Sequence, residues 1–235
     1  MIDPLAHRVA VVTGGAGALG QAVTTRLLAD GITVCVPLEF AKDADRLRQV
    51  VPDVHRGRLA LDTVDVTDLD AMTRLAASVV ARHGRIDVLV TIVGGFAGGA
   101  LVETDRAAWD RMLAVNLTSV FVATRAVVPH MVTAGRGRVV TIASRAVVPP
   151  AGGFIAYTTA KSGVIAFTRA LAHELRPHGI TVNSILPSTM DTPANRAAMP
   201  EGDRAGWVPV ASVADAIAFP VRDESAHLTG ALLTI

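Results

Sequence analysis

Two side chains suited to proton transfer stand one helical turn apart in the second half of the chain. Tyr157 is the only tyrosine, and Lys161, four residues on, is one of two lysines beside 20 arginines. An ammonium is a compact charge with three donors and a tunable pKa, unlike a guanidinium. Residues i and i+4 share a helix face. The spacing therefore predicts an ammonium beside the phenol, which favours the phenolate and lowers the pKa of Tyr157. A tyrosine tuned in this way gives a proton to, or takes one from, an alcohol or carbonyl oxygen. Ser144 closes the apolar run Arg138–Ser144, 13 residues before Tyr157. A hydroxyl at the C-terminal end of a strand points into the crevice where open parallel sheets bind ligands.

A second chemical feature lies near the start of the chain. Val9–Gly20 reads V-A-V-V-T-G-G-A-G-A-L-G, so Gly14, Gly15, Gly17 and Gly20, with Ala18 and Leu19 between them, follow an apolar strand and open a helix. Glycines there let the backbone approach a pyrophosphate, and the helix N-terminus offers free N–H groups and a partial positive charge. The same turn would also serve as a ligand-free connection. Glu39 lies 19 residues after Gly20, beyond the next apolar run. A carboxylate there can bond the adenosine ribose and repel a 2′-phosphate, which favours NAD over NADP. A solvated loop carboxylate is the plainer reading of Glu39.

The elements that must position these groups alternate along the sequence. Strands are expected at Arg8–Thr13, Ile32–Val36, Leu59–Val64, Ile86–Val93, Arg138–Ala143, Thr181–Leu186 and Ala231–Ile235. Helices are expected at Leu19–Asp30, from Thr67 to about His83 with Asp70 completing a capping box, from about Asp105 toward Met131 with Pro129 straining its last turns, at Ala156–Arg176 and at Ser212–Phe219. Strand–helix alternation with continuous Val/Ile/Leu strands predicts an α/β fold. The expected architecture is a doubly wound, Rossmann-like parallel sheet in three α/β/α layers, forming one domain over residues 1–235. Ser188–Val210, rich in Pro, Gly and charge, reads as a mobile loop covering a site.

Composition narrows the function. With 22 Lys plus Arg against 21 Asp plus Glu, the net charge is +1, which argues against a nucleic-acid partner. No uninterrupted apolar run reaches the roughly 18 residues of a membrane span. The start Met1-Ile2-Asp3-Pro4 lacks a basic region followed by an apolar core, which argues against a signal peptide. Cys35 is the single cysteine. An internal disulfide is thereby ruled out, and a reduced cytoplasmic protein is expected. The seven histidines fall into no ligand spacing, so no catalytic metal is expected.

Taken in order along the chain, the Thr13–Gly20 turn, Asp65-Val66, Val115-Asn116, Ser144, Tyr157-x-x-x-Lys161 and Asn183…Pro187…Asp191-Thr192-Pro193 resemble the short-chain dehydrogenase/reductase family, of the single-domain type. The resemblance covers nearly the whole chain. It implies an NAD(P)-dependent oxidoreductase acting on a carbonyl or secondary alcohol, including 3-oxoacyl-type substrates. Tyr157 would be the acid/base, Ser144 would hold the substrate oxygen, and Lys161 would bond the nicotinamide ribose and lower the Tyr157 pKa. Asn116 would bend its helix and hold a relay water. Asp65 and Val66 would line the adenine, Gly94 the cofactor channel, and Thr192 with the backbone near Pro187 the carboxamide. The resemblance also implies a homodimer or homotetramer formed by the two long helices.

The chain departs from the family pattern in three places. Ala18 stands where the family has glycine, and its methyl is expected to crowd the pyrophosphate. Thr91-Ile92-Val93-Gly94 replaces the usual Asn-Asn-Ala-Gly, and the glycine-rich Gly95–Gly99 that follows reads as flexible. The sequence stops at Ile235, where the family continues into a glycine-containing tail. Ala18 and the altered Thr91–Gly94 stretch keep open an alternative: a dinucleotide-sensing binding protein on the same scaffold, without turnover. Phe96, Val147, Val148, Phe154 and Ile155 are expected to flank the site as apolar walls.

Overall fold

In this chain the inner strands of the central sheet bury both faces, because successive side chains point to opposite sides and nearly all are apolar. The computed structural model describes Leu5 and residues 7–235; residues 1–4 and 6, including the N-terminal start discussed above, lie outside the described residues. In chain order the elements are β1 (Val9–Thr13), α1 (Ala18–Ala29), β2 (Thr33–Leu38), α2 (Asp43–Val50), α3 (Asp53–Arg56), β3 (Leu59–Thr63), α4 (Leu69–His83), β4 (Val88–Thr91) and α5 (Arg106–Leu113). There follow α6 (Ser119–Ala134), β5 (Gly137–Ile142), α7 (Ile155–Leu175), β6 (Ile180–Leu186), β7 (Met190–Asp191), α8 (Pro193–Ala198), β8 (Val208–Pro209), α9 (Val210–Ala218) and β9 (Leu232–Thr234).

Seven strands form one parallel sheet in the order β3-β2-β1-β4-β5-β6-β9. One face packs Val12, Val36, Val90 and Ile142 against Leu19, Val23 and Leu27 of α1 and Val213 and Ile217 of α9. The other packs Val11, Cys35, Leu89 and Val139 against Met72 and Val79 of α4, Val122 and Met131 of α6 and Leu175 of α7. Each fully buried side chain of this size contributes about 1.5–3 kcal/mol, so both layers are held firmly to the sheet. The result is the Rossmann-like three-layer α/β/α architecture. The strand order reverses between β1 and β4, and the crevice beyond their C-terminal ends is where such sheets take ligands. A third cluster, Val120, Ala143, Val164 and Leu186, ties the end of β5 to α6 and α7. It fixes the strand end and helix start that carry Ser144 and Lys161.

The structure corrects several boundaries. No element was anticipated between β2 and β3, yet α2 and α3 lie there. Among its charged residues α2 buries only Leu47, so it carries little apolar periodicity. Helix α4 is capped by Asp68, whose carboxylate accepts from Ala71 N at 3.0 Å, and not by Thr67. The single long helix expected from Asp105 is interrupted by a π-helical turn at Ala114–Thr118, and it continues past Pro129 to Ala134. The whole run Arg106–Ala134 is long and apolar enough to cross a membrane, but half of its most apolar window is buried in the protein. Its inner face packs in the core with α4 and the sheet.

Candidate active site

The glycine turn is shaped by contact distances. Gly14 has φ +71°, and a Cβ there would lie 2.8 Å from the Val93 nitrogen. A Cβ on Gly20 would lie 2.0 Å from the Gly14 carbonyl oxygen. Helix α1 therefore packs directly on the turn only because Gly20 has no side chain. A Cβ on Gly15 would strike Val36 of β2 at 2.7 Å. By contrast a Cβ on Gly17 would meet nothing nearer than 3.5 Å. Gly17 precedes α1, and no side chain caps its first N–H groups. Leu19 is a core residue, so only its backbone faces the turn, while Ala18 is exposed. The arrangement is an open helix N-terminus under a backbone pressed close to β4, which suits a diphosphate.

Asn116 organises the segment after β4. It is fully buried in the π-helical turn. Its amide nitrogen donates to Met112 O at 3.1 Å and to Gly95 O at 3.0 Å, and its oxygen accepts from Gly95 N at 3.2 Å. One side chain thus satisfies both main-chain groups of Gly95 and helps divert the helix ladder, as the expected bend requires. A Cβ on Gly94 would sit 2.8 Å from Asn116 Oδ1 and 3.3 Å from Lys161 Nζ. Gly94, Asn116 and Lys161 are therefore brought together. The Gly95–Gly99 run is anchored at its far end too: Gly99 N donates to Gly153 O at 2.8 Å, and Ile155 N to Gly99 O at 3.3 Å. The flexibility read from its composition gives way to a segment pinned at both ends.

Ser144 lies two residues beyond β5 and is buried. Its hydroxyl accepts from Ala146 N at 3.2 Å, which holds it in the turn. Tyr157 and Lys161 lie on the first turns of α7, the phenol half-buried and the ammonium 5% exposed. Lys161 Nζ donates to Ile142 O at 2.8 Å, a carbonyl at the end of β5. Among the described residues no carboxylate offsets this burial, and the Lys161 pKa falls to about 8. The lowered Tyr157 pKa expected from Lys161 is not what the structure shows. Burial pushes the phenol above its ordinary value, and only its hydrogen bonding with Ser144 works in the other direction. The physical reason is that the ammonium is drawn to the strand-end carbonyl, while the phenol sits among aromatic rings. The Phe96 and Tyr157 centroids are 5.1 Å apart at 73°, and Phe154 stands 6.2 Å from Tyr157 at 71°.

The remaining residues spread along the crevice mouth. Glu39 is exposed, one residue past β2, and next to it Lys42 Nζ lies 5.1 Å from the Phe40 ring centre. Asp65 accepts from the Thr67 amide at 2.8 Å and the Thr67 hydroxyl at 2.7 Å, which holds its carboxyl below the usual range. Val66 is half-buried against the second core cluster. The Pro187 carbonyl accepts from Arg145 N at 3.0 Å and so ties the end of β6 to the turn after Ser144. Thr192 caps α8, its hydroxyl accepting from Asn195 N at 3.2 Å. The irregular loop expected at Ser188–Val210 is instead built of β7, α8 and β8. It is held by β7–β8 pairing, by Asn195 Nδ2 on Met190 O at 2.8 Å and by a two-bond Arg196–Asp191 ion pair. Composition hid this order because the segment is stabilised by polar bonds and not by an apolar period.

The comparisons with known proteins agree with this geometry. Residues 8–202 match the family model described as short chain dehydrogenase. The chain is 35% identical to an acetoacetyl-CoA reductase from Allochromatium vinosum, over 97% of this chain and 96% of that protein. It is also 35% identical to a cis-4-hydroxycyclohexanecarboxylate dehydrogenase from Sinomonas cyclohexanicum, over 100% of this chain and 97% of that protein. Among solved structures, a protein from Burkholderia xenovorans described as a short-chain dehydrogenase/reductase superposes with a TM-score of 0.91 at 29% identity, covering 98% of this chain and 95% of that one.

Proposed function

The chain belongs to the short-chain dehydrogenase/reductase family of oxidoreductases, which use nicotinamide dinucleotides, and on that premise we propose that it interconverts a carbonyl compound and a secondary alcohol, 3-oxoacyl-type compounds among them. The observation that carries the reading is the convergence of Ser144, Tyr157 and Lys161 at the end of β5, beside the Asn116–Gly94 contact.

The residues present fit a dinucleotide: the uncapped α1 N-terminus and the close-packed glycines leave backbone N–H groups for a diphosphate. When bound, the nicotinamide supplies or accepts the hydride. Gly14, Gly15, Gly17, Ala18, Leu19 and Gly20 hold the diphosphate through their backbone, Asp65 and Val66 border the adenine, and Gly94 leaves room beside Lys161. The backbone at Pro187 and the Thr192 hydroxyl hold the carboxamide. Ser144 donates to the substrate oxygen and orients it. In the reducing direction Tyr157 delivers its proton to that oxygen; in the oxidising direction it removes one. Burial keeps the phenol protonated near neutral pH, the form from which it donates to a carbonyl oxygen. Lys161 binds the nicotinamide ribose with the ammonium now given to Ile142 O. Asn116 fixes Gly95 and holds the relay water. The β7–α8–β8 segment covers the substrate. The reaction takes place in the cytoplasm, in a homodimer or homotetramer joined through α6 and α7.

An exposed carboxylate directly after β2 supports NAD over NADP. Fluorescence titration with NADH and NADPH, followed by oxidation of each in the presence of ethyl 3-oxobutanoate and a panel of ketones, tests both parts. NADH is expected to bind about tenfold more tightly, equivalent to about 1.4 kcal/mol, and Glu39→Gln is expected to narrow that gap. Tight dinucleotide binding with no turnover of any ketone or alcohol would overturn the enzymatic reading in favour of a binding protein.

A further inference from the structure

The wall around the Tyr157 phenol is aromatic on two sides, and one of its rings has no burial of its own to account for its place. Phe96 is 65% exposed. Its centroid lies 5.1 Å from Tyr157 and 5.7 Å from Phe154, with interplanar angles of 73° and 58°. Such edge-to-face and tilted arrangements are the favoured ones for rings at these separations. The ring is not at the tip of a loose loop. Asn116 holds Gly95 on one side through both of its main-chain groups, and Gly153 and Ile155 hold Gly99 on the other. Only Phe96, Ala97 and Gly98 span the interval, so the arch is short and its ring is kept beside the phenol. The residues that form and anchor it, Gly95–Gly99 and Gly152–Phe154, include no charged side chain.

We infer that Phe96 is a specificity-determining residue that accepts a neutral aryl or alicyclic ring attached at or next to the reacting carbonyl carbon. The inference rests on Tyr157 being the proton donor, since only then must the substrate carbonyl approach this phenol. An oxygen bonded to Ser144 and Tyr157 brings the adjoining atoms of the substrate against the Phe96–Phe154 pair. A ring covers much of that surface in one rigid contact, at little conformational cost. A methyl substituent covers little of it. The uncharged lining disfavours a carboxylate at the same place.

A matched pair of substrates isolates the ring: ethyl 3-oxo-3-phenylpropanoate and ethyl 3-oxobutanoate share the ester and the ketone and differ by phenyl against methyl. The wild type is expected to show a KM about tenfold lower for the phenyl ester, and Phe96→Ala to erase most of that ratio through KM. Phe96→Tyr keeps the ratio, and Phe96→Leu keeps part of it. Equal KM values in the wild type, or a Phe96→Ala change of the same factor for both esters, would overturn the inference. Saturation-transfer NMR on the phenyl ester reads the ring contact without turnover. Transfer to the ring protons that is lost in Phe96→Ala establishes the ring contact with Phe96; if no ketone is reduced, that contact stands while the reading of Tyr157, and with it the placing of the ring at a reacting carbonyl, is overturned. Unchanged transfer would overturn the contact itself.

Discussion

The two halves of the crevice are built on different physics. At the β1–α1 turn the determining quantity is space: Gly14 and Gly20 are fixed by contacts of 2.8 and 2.0 Å that a methyl group would make with backbone atoms. At the β5–α7 end it is solvation: Ser144 and Lys161 are buried, and burial moves Lys161 down and Tyr157 up. The turn needs no side-chain chemistry and tolerates no added side-chain volume at Gly14 or Gly20. The β5–α7 end needs particular side chains and holds one of them, a buried ammonium without a carboxylate, at a cost to stability. The first half is a steric device that supports the fold. The second is a functional device that the fold must carry.

Substitutions should therefore affect the two halves in opposite directions. The largest effect is expected at the turn. In Gly20→Ala the methyl would collide with the Gly14 carbonyl, and backbone on both sides leaves no flexible group to yield. A loss of about 3 kcal/mol or more is expected, of the size caused by severe overpacking, and NADH binding should weaken with it. Urea unfolding with parallel NADH titration measures both; a variant as stable as the wild type would mean that α1 is free to move off the turn.

The smaller effect has the reverse sign. At neutral pH the folded protein carries Lys161 against a pKa lowered to about 8 by burial. Between about pH 8 and 10 the unfolded chain holds more protons at this residue than the folded one, so its contribution to stability rises with pH across that window. Below pH 8 the penalty is present in full. Lys161→Met removes the penalty along with the Ile142 bond. It is expected to stabilise the protein at pH 7 by about 1–2 kcal/mol, seen as a Tm increase of a few degrees, while abolishing turnover. The rise in stability between pH 8 and 10 should flatten in this variant. A lower Tm at pH 7 would show that the bond to Ile142 outweighs the desolvation, and the contrast between the two halves would fail.

What could be read in advance follows the same division. The glycine spacing and the Tyr157–Lys161 interval are local features, and a strand followed by a tight turn or a helical i, i+4 relation carries them into three dimensions. The parallel sheet was legible because its strands are continuous apolar runs. The direction of Lys161 was not, since its partner Ile142 lies 19 residues away on another element. Nor was the π-helical turn, which accompanies the Asn116 amide bonding Met112 O and Gly95. Helix α2 and the β7–α8–β8 segment stayed hidden because charge and polar capping, and not an apolar period, hold them. Phe96 was visible as a hydrophobic residue near the site, but its placement edge-on to Tyr157 depends on anchors at Gly95 and Gly99 that no single-residue pattern reveals.

The most direct test of the account is Tyr157→Phe, measured for NADH oxidation with a reducible ketone and for NADH affinity by fluorescence on the same preparation. Loss of the phenolic proton should lower kcat by about 10³-fold, within the range attributed to general acid–base groups, while NADH affinity stays within about twofold because the ring and its aromatic neighbours remain. Turnover within tenfold of the wild type would contradict the assignment of the proton to Tyr157.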